Sequence, residues 1–104
     1  MFHLRLAAVL LLLSGTGSAM ANEATARKNM QARYPQITIE SVTRAPIAGL
    51  YEVYAGGQIF YIDEGANHLI VEGRVIDTRS RADLTGERLR KLTAIRFDTL
   101  PLDL

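Results

Sequence analysis

The chain has 104 residues, of which 48% are apolar and 22% are charged, a composition typical of one small globular domain. It contains no cysteine, no tryptophan and only two histidines. The lack of cysteine therefore excludes disulfides, CxxC redox chemistry and Cys/His zinc sites within the chain. We expect neither a cofactor nor a metal site.

The first 21 residues have the pattern of a secretory signal peptide. Arg5 supplies the positive charge, residues 6–13 form an apolar run, and Ala19-Met20-Ala21 fits a small-residue cleavage site. A membrane anchor is the alternative, but this run is far shorter than the roughly 20 residues needed to span a bilayer. The sequence predicts export, cleavage after Ala21 and no remaining membrane attachment.

Charge balance argues against a nucleic-acid partner. Of the 12 basic residues, the signal peptide contains only Arg5, so 11 basic residues balance 11 acidic ones in the exported part. Proteins that bind nucleic acids or anionic membranes draw affinity from an excess of basic residues. We expect the exported domain to bind neither.

A first helix is predicted to begin at Asn22 and to end before Pro35. Asn22 is suited to the N-cap position, and Glu23 would lie in the first turn, where it favours the helix dipole. Three apolar residues four positions apart form a narrow stripe that we expect to pack on a sheet: Ala26, Met30 and Tyr34.

The middle of the chain predicts an antiparallel sheet of about five strands. The apolar period changes to two, and Gly56-Gly57 between two such runs is a strong hairpin signal because tight primed turns need positive φ. Residues 63–67 are predicted as a turn, and Gly73 as a bulge or a close backbone approach. The predicted strands are residues 37–42, 50–54, 58–62, 68–71 and 74–77.

The last predicted helix begins with Thr85 as its N-cap. Leu89, Leu92 and Ile95 form a narrow stripe among basic residues that include Arg88, Arg90, Lys91 and Arg96. This stripe suits either a core face or the seam of a connecting helix. Residues 97–104 are rich in large apolar side chains, which indicates that further chain normally follows.

Two predicted strands are apolar on both faces. In residues 59–62 and 68–71, neighbours that point to opposite sides of the sheet are all apolar, apart from His68. One short helix covers one face, so we expect the other face, or the edge, to contact a second chain. The alternative is that the last helix covers it.

Candidate catalytic residues are few. Once His3 is removed with the signal peptide, His68 is the only imidazole, and we expect a surface or packing role for it. Asp63 and Glu64 lack the spacing of a calcium loop and suit a turn. An enzyme that uses Asp63, Glu64 and Asp77 is disfavoured because no base or nucleophile accompanies these acids.

The runs 45–53, 57–62, 68–73 and 75–77 resemble the N-terminal dimerisation domain of the DsbC/DsbG family of periplasmic disulfide isomerases. The resemblance implies a small cystatin-like α+β fold, with an N-terminal helix on an antiparallel sheet and a C-terminal linker helix. It implies a dimerisation domain at residues 22–81, with residues 82–104 forming the linker helix and the start of a thioredoxin-like domain that is missing here.

The resemblance also implies a homodimer that pairs through edge strands. The implied interface residues are His68, Leu69, Ile70, Val71, Glu72 and Gly73, and we expect Gly73→Arg to give a monomer. In the full-length family member, a CxxC in the thioredoxin-like domain reshuffles the disulfides of misfolded periplasmic proteins. Because this chain has no cysteine, that activity cannot reside in it. Both a fragment and a free-standing module fit the sequence.

A rival interpretation is a stand-alone periplasmic module of cystatin-like fold that binds a small ligand or peptide, or acts as an inhibitor. Its groove would be lined by Tyr51, Tyr54 and Tyr61. Core packing is the alternative role for these side chains and for Tyr34.

Overall fold

The structure, a computed structural model, describes residues 18–99, with side chains described for residues 21–95. The strands form one antiparallel sheet in the order β1-β2-β3-β4. This arrangement confirms the predicted α+β class with a helix at each end. Most of the predicted signal peptide, the side chain of Arg96 and the C-terminal tail lie outside the described residues. The elements are α1 (Ser18–Arg33), β1 (Ile39–Arg44), β2 (Leu50–Ala55), β3 (Gln58–Asp63), β4 (Leu69–Ile70) and α2 (Leu84–Thr99).

Helix α1 packs one face on the sheet. Ala26 and Met30 are fully buried, as the apolar stripe predicts, but Tyr34 is 39% exposed because the helix ends at Arg33, ahead of Pro35. Beyond the helix end, the Gln31 side chain donates to the carbonyls of Tyr34 and Ile37 at 3.2 and 3.0 Å. These bonds fix the path from α1 to β1.

The predicted start of α1 is wrong. Asn22 lies inside the helix, so it is not the N-cap, and Glu23 is not in the first turn. Ala19, Met20 and Ala21 are strong helix formers, and they carry the helix upstream of Asn22.

Strands β2 and β3 form the hairpin predicted from Gly56-Gly57. Both glycines have positive φ, 59° and 75°, as a primed two-residue turn requires. The register pairs all six residues of each strand, from Ala55 with Gln58 to Leu50 with Asp63. This hairpin is the central and most buried part of the sheet.

Side chains alternate between two apolar clusters on opposite faces of the hairpin. Val53 and Ile62 lie on the α1 face with Met30, whereas the opposite face carries a second cluster. Leu89 and Leu92 of α2, both half-buried, pack against that second cluster, so the last helix covers the face opposite α1 at β3. The second cluster is built on Tyr54, Ile59 and Tyr61.

The predicted fifth strand is absent from the sheet as the structure describes it. Within residues 74–77, only Ile76 makes an isolated bridge, to Asp83. The backbone bonds of this segment close a local loop instead, because the Asp77 amide donates to the Ala82 carbonyl and the Val75 carbonyl accepts from Leu84. The strand predicted over 68–71 is likewise shortened to Leu69–Ile70.

The N-cap of α2 is Asp83 rather than the predicted Thr85. Asp83 Oδ1 accepts from the Gly86 amide at 2.9 Å, which is the geometry of an N-cap side chain bonded to the third helical residue. Thr85 is buried instead, and its hydroxyl accepts from the Val75 amide and bonds the Tyr61 hydroxyl. Its polar side chain therefore joins α2 to β3.

Candidate functional site

The predicted interface residues lie together at one edge of the sheet. β4 pairs only with β3, through Ile62 with Leu69 and Tyr61 with Ile70, and no described strand lies on its other side. An edge strand presents backbone N–H and C=O groups that can pair with another chain. We call residues 68–73 the β4 edge segment.

Apolar side chains in the β4 edge segment are only partly covered. Leu69 packs partly against the cluster on the α1 face, whereas Ile70 and Val71 are 43% and 54% exposed. Adjacent large apolar residues at an open edge favour contact with another surface, since a soluble domain gains by removing them from water.

Asp63 fixes the entry to the β4 edge segment. Its carboxylate accepts from the backbone amides of Asn67 and His68 at 2.7 and 3.2 Å, and from His68 Nδ1 at 2.7 Å. These hydrogen bonds, with that of the His68 side chain the strongest, lower the pKa of Asp63 from its usual value of 3.8. The His68 amide is thus bonded to a side chain rather than to β3, which explains the late start of β4.

Helix α1 also holds the loop of residues 64–67 that leads into β4. Asn29 donates to the Glu64 carbonyl at 2.9 Å, and Arg33 donates to the Asn67 side chain at 2.7 Å. The loop before β4 is therefore held by α1 as well as by Asp63.

The exit from the β4 edge segment is set by Glu72 and Gly73. Glu72 has a positive φ of 61°, which turns the chain out of the sheet and explains why β4 ends at Ile70. A Cβ placed on Gly73 would clash with Ile70 Cγ2. The close approach predicted at Gly73 therefore involves the Ile70 side chain of the same chain, and Gly73→Arg would disturb β4 itself.

Other candidate residues have structural roles. His68 is 86% exposed and bonded to Asp63. The carboxylate of Asp77 accepts from the amides of Arg79 and Ser80, as a turn-forming aspartate does. In the described part of the chain, no cluster of three or more His, Asp or Glu side chains could hold a metal ion.

The tyrosines proposed to line one groove do not share one face. Tyr51 belongs to the cluster on the α1 face, whereas Tyr54 and Tyr61 belong to the cluster under α2. All three are less than 10% exposed. They are core residues, and the groove of the rival binding-module interpretation does not form.

The sequence interpretation missed an ion pair between a buried carboxylate and a half-exposed arginine. Glu52 in β2 is only 4% exposed, and both of its carboxylate oxygens accept from Arg88 Nε of α2 at 3.1 Å. The neighbouring strand contributes Thr43, which donates to Glu52 Oε2 at 2.7 Å. The sequence did offer a signal for this pair. Glu52 is a charged residue on the same strand face as the apolar Leu50 and Tyr54, so it needs a partner if that face is buried.

Among the described residues, no helix is both long enough and apolar enough to cross a bilayer. This finding concerns residues 18–99 alone.

Comparisons with known proteins agree with the sequence resemblance. The chain is similar to probable thiol:disulfide interchange proteins DsbC from Bordetella avium, with 42% identity over 78 residues, and from Bordetella pertussis, with 40% identity over 72 residues. The matches cover 75% and 69% of this chain but only 27% and 25% of the two relatives. The chain thus spans about a quarter of the length of these curated relatives.

A family model described as the disulfide bond isomerase protein N-terminal domain matches residues 17–86, more than half of the chain. The match includes α1, the whole sheet and the first turn of α2. The chain therefore belongs to the family of disulfide bond isomerase protein N-terminal domains.

Proposed function

We propose that this chain is the homodimerisation domain of an exported disulfide isomerase and chaperone, and that two copies pair through their β4 edge segments. In this proposal, residues 1–21 are a signal peptide, residues 22–81 dimerise, and residues 82–104 begin the connection to a thioredoxin-like domain. The periplasm is the proposed location. Misfolded proteins are the proposed substrates of the full-length protein.

The observation that carries the proposal is the open β4 edge with Ile70 and Val71 partly exposed beside it. Pairing of two such edges would satisfy their outward backbone groups, and the apolar side chains would supply the driving force. Both ends of the segment are held by Asp63 and by the turn at Glu72. A preformed edge loses less conformational entropy on pairing than a mobile one.

Catalysis is assigned to the part of the full-length protein that lies beyond this chain. The 104 residues contain no cysteine, so they provide no thiolate to attack a disulfide. The chain contributes the geometry that would place two catalytic domains around one cleft.

Sedimentation equilibrium on the exported chain tests the proposal, with Val71→Lys as the diagnostic variant. We expect a wild-type dimer, and we expect Val71→Lys to raise the dimer Kd by about tenfold or more because a charge would be desolvated at the edge. Val71 avoids the internal contact that complicates Gly73→Arg.

The matched control is Ile47→Lys, because Ile47 is 47% exposed and lies in the loop between β1 and β2, two strands away from β4. It should leave the dimer Kd unchanged. A wild-type chain that stays monomeric at high concentration, or equal weakening by both variants, would contradict the proposal.

A further inference from the structure

Helix α2 rests on the sheet through very little apolar surface. Leu89 and Leu92 are only half-buried, and Ile95 on the same stripe is 62% exposed. The apolar contact therefore fades along the helix within two turns. Such a contact fixes the position of a helix weakly, and its direction more weakly still.

Two polar contacts join α2 to the sheet one turn apart. The first is at the start of the helix, where the Thr85 hydroxyl bonds the Tyr61 hydroxyl of β3. The second is the Glu52–Arg88 ion pair, which reaches β2. Two attachment points to different strands define the direction of α2, whereas the first contact alone would let the helix rotate about Thr85.

From this arrangement we infer that the Glu52–Arg88 pair is a clamp that sets the direction in which α2 leaves the sheet. Glu52 is suited to this role because it is buried and its position is fixed by Thr43 on β1. A buried carboxylate without its partner is costly, so the folded sheet favours the one α2 orientation that brings Arg88 over Glu52. The clamp acts within one copy of the chain, whether or not two copies pair.

The clamp lies beside a cleft of about 400 Å³ between α2 and the end of β1. Arg88 itself has a side chain that is 40% exposed, so it can leave Glu52 for water. Loss of the pair should therefore release α2 while the sheet stays folded. Glu52 and Arg88 are positioning residues in this sense.

Distance measurement between two nitroxide labels on the full chain tests the clamp. The chain has no cysteine, so Lys28→Cys on α1 and Thr93→Cys on α2, both exposed positions, would be the only attachment sites. Labelled chain diluted into an excess of unlabelled chain reports distances within one copy only. We expect one narrow distance distribution for the otherwise unchanged chain.

Glu52→Gln and Arg88→Gln should each broaden this distribution by about twofold or more, because α2 would then sample several orientations. The double variant should be no broader than either single variant, since both remove the same contact. Arg88→Lys should give a distribution narrower than that of Arg88→Gln but broader than that of the otherwise unchanged chain. Arg88 bonds Glu52 through Nε alone, and a single ammonium can replace that donor. If Glu52→Gln fails to fold, the two Arg88 variants decide the question.

Arg74→Gln is the control, since it removes the more exposed Arg74–Asp83 pair at the start of the same helix. It should leave the distribution narrow. The clamp is refuted if the Arg88 variants keep the narrow distribution, or if Arg74→Gln broadens it as much as they do. Loss of dimerisation with a narrow distribution would contradict only the proposed function.

Discussion

The β2–β3 hairpin and the β4 edge segment have similar apolar sequences but very different surroundings. In the hairpin, Val53 and Ile62 are at most 1% exposed because α1 covers their face, and Tyr61 on the opposite face is 2% exposed in the cluster under α2. In the edge segment, Ile70 and Val71 are about half exposed. A run that is apolar on both faces therefore indicates a strand that needs cover, but it does not say whether the cover comes from the same chain.

The difference arises from position in the sheet. The hairpin strands are central and have neighbours on both sides, whereas β4 has a described neighbour only in β3. Edge positions in soluble proteins are usually protected by charges, bulges or covering elements. The β4 edge segment instead presents adjacent β-branched apolar residues, which is the property expected of a surface that meets another chain.

Alanine substitution of one isoleucine in each region should separate the two regions most strongly. Ile62→Ala in β3 should lower the free energy of unfolding by about 2–4 kcal/mol, because it empties a fully buried site. Ile70→Ala in β4 should lower the free energy of unfolding of the isolated monomer by less than about 1 kcal/mol, because Ile70 is 43% exposed.

Urea unfolding of both variants at a concentration where the chain is monomeric provides the measurement. Dimer formation would add apparent stability and must be kept out of the comparison. Equal losses at the two positions would mean that β4 is as well covered as the hairpin.

A smaller effect on stability is expected from the carboxylate of Asp63, which precedes β4. The pKa of Asp63 is lowered in the folded chain, mainly by the His68 hydrogen bond. Ionised Asp63 therefore contributes stability at pH values above its unfolded pKa, and this contribution is lost as pH falls through the lower folded pKa. The loss should begin near the usual value of 3.8 and continue below it.

Thermal unfolding followed from about pH 5 to about pH 2 should show a shallower decline of Tm for Asp63→Asn than for the unchanged chain. Glu64→Gln is the control, since Asn29 is bonded to the backbone carbonyl of Glu64 and not to its carboxylate. It should keep most of the original decline. Identical profiles for Asp63→Asn and the unchanged chain would show that the loop bonds do not contribute to stability.

Local sequence signals predicted the elements whose causes are local. Gly56-Gly57 specified the hairpin because its turn needs positive φ at both positions, and Ala26 with Met30 identified the buried stripe of α1. The family resemblance located the candidate edge. These features depend on neighbours within a few residues or on a pattern shared with known proteins.

Several features that sequence reasoning missed depend on which hydrogen-bond partners the folded chain brings together. Residues 74–77 look like a strand, but their backbone bonds go to residues 81–84, in the loop before α2 and at its first residue. Thr85 resembles an N-cap, but its hydroxyl serves Tyr61 and Val75, which leaves capping to Asp83. The hydrophobic periodicity of the sequence carries no information about these hydrogen-bond partners.

Amide hydrogen exchange of Leu69–Ile70 and Val71 at different protein concentrations shows whether two copies pair through β4. If two copies pair through β4, exchange at these residues should slow markedly as concentration rises through the dimer Kd, while β2–β3 amides such as that of Val53 change little. Exchange at β4 that is independent of concentration, in a chain that nevertheless forms dimers, would place the interface elsewhere and refute pairing through β4.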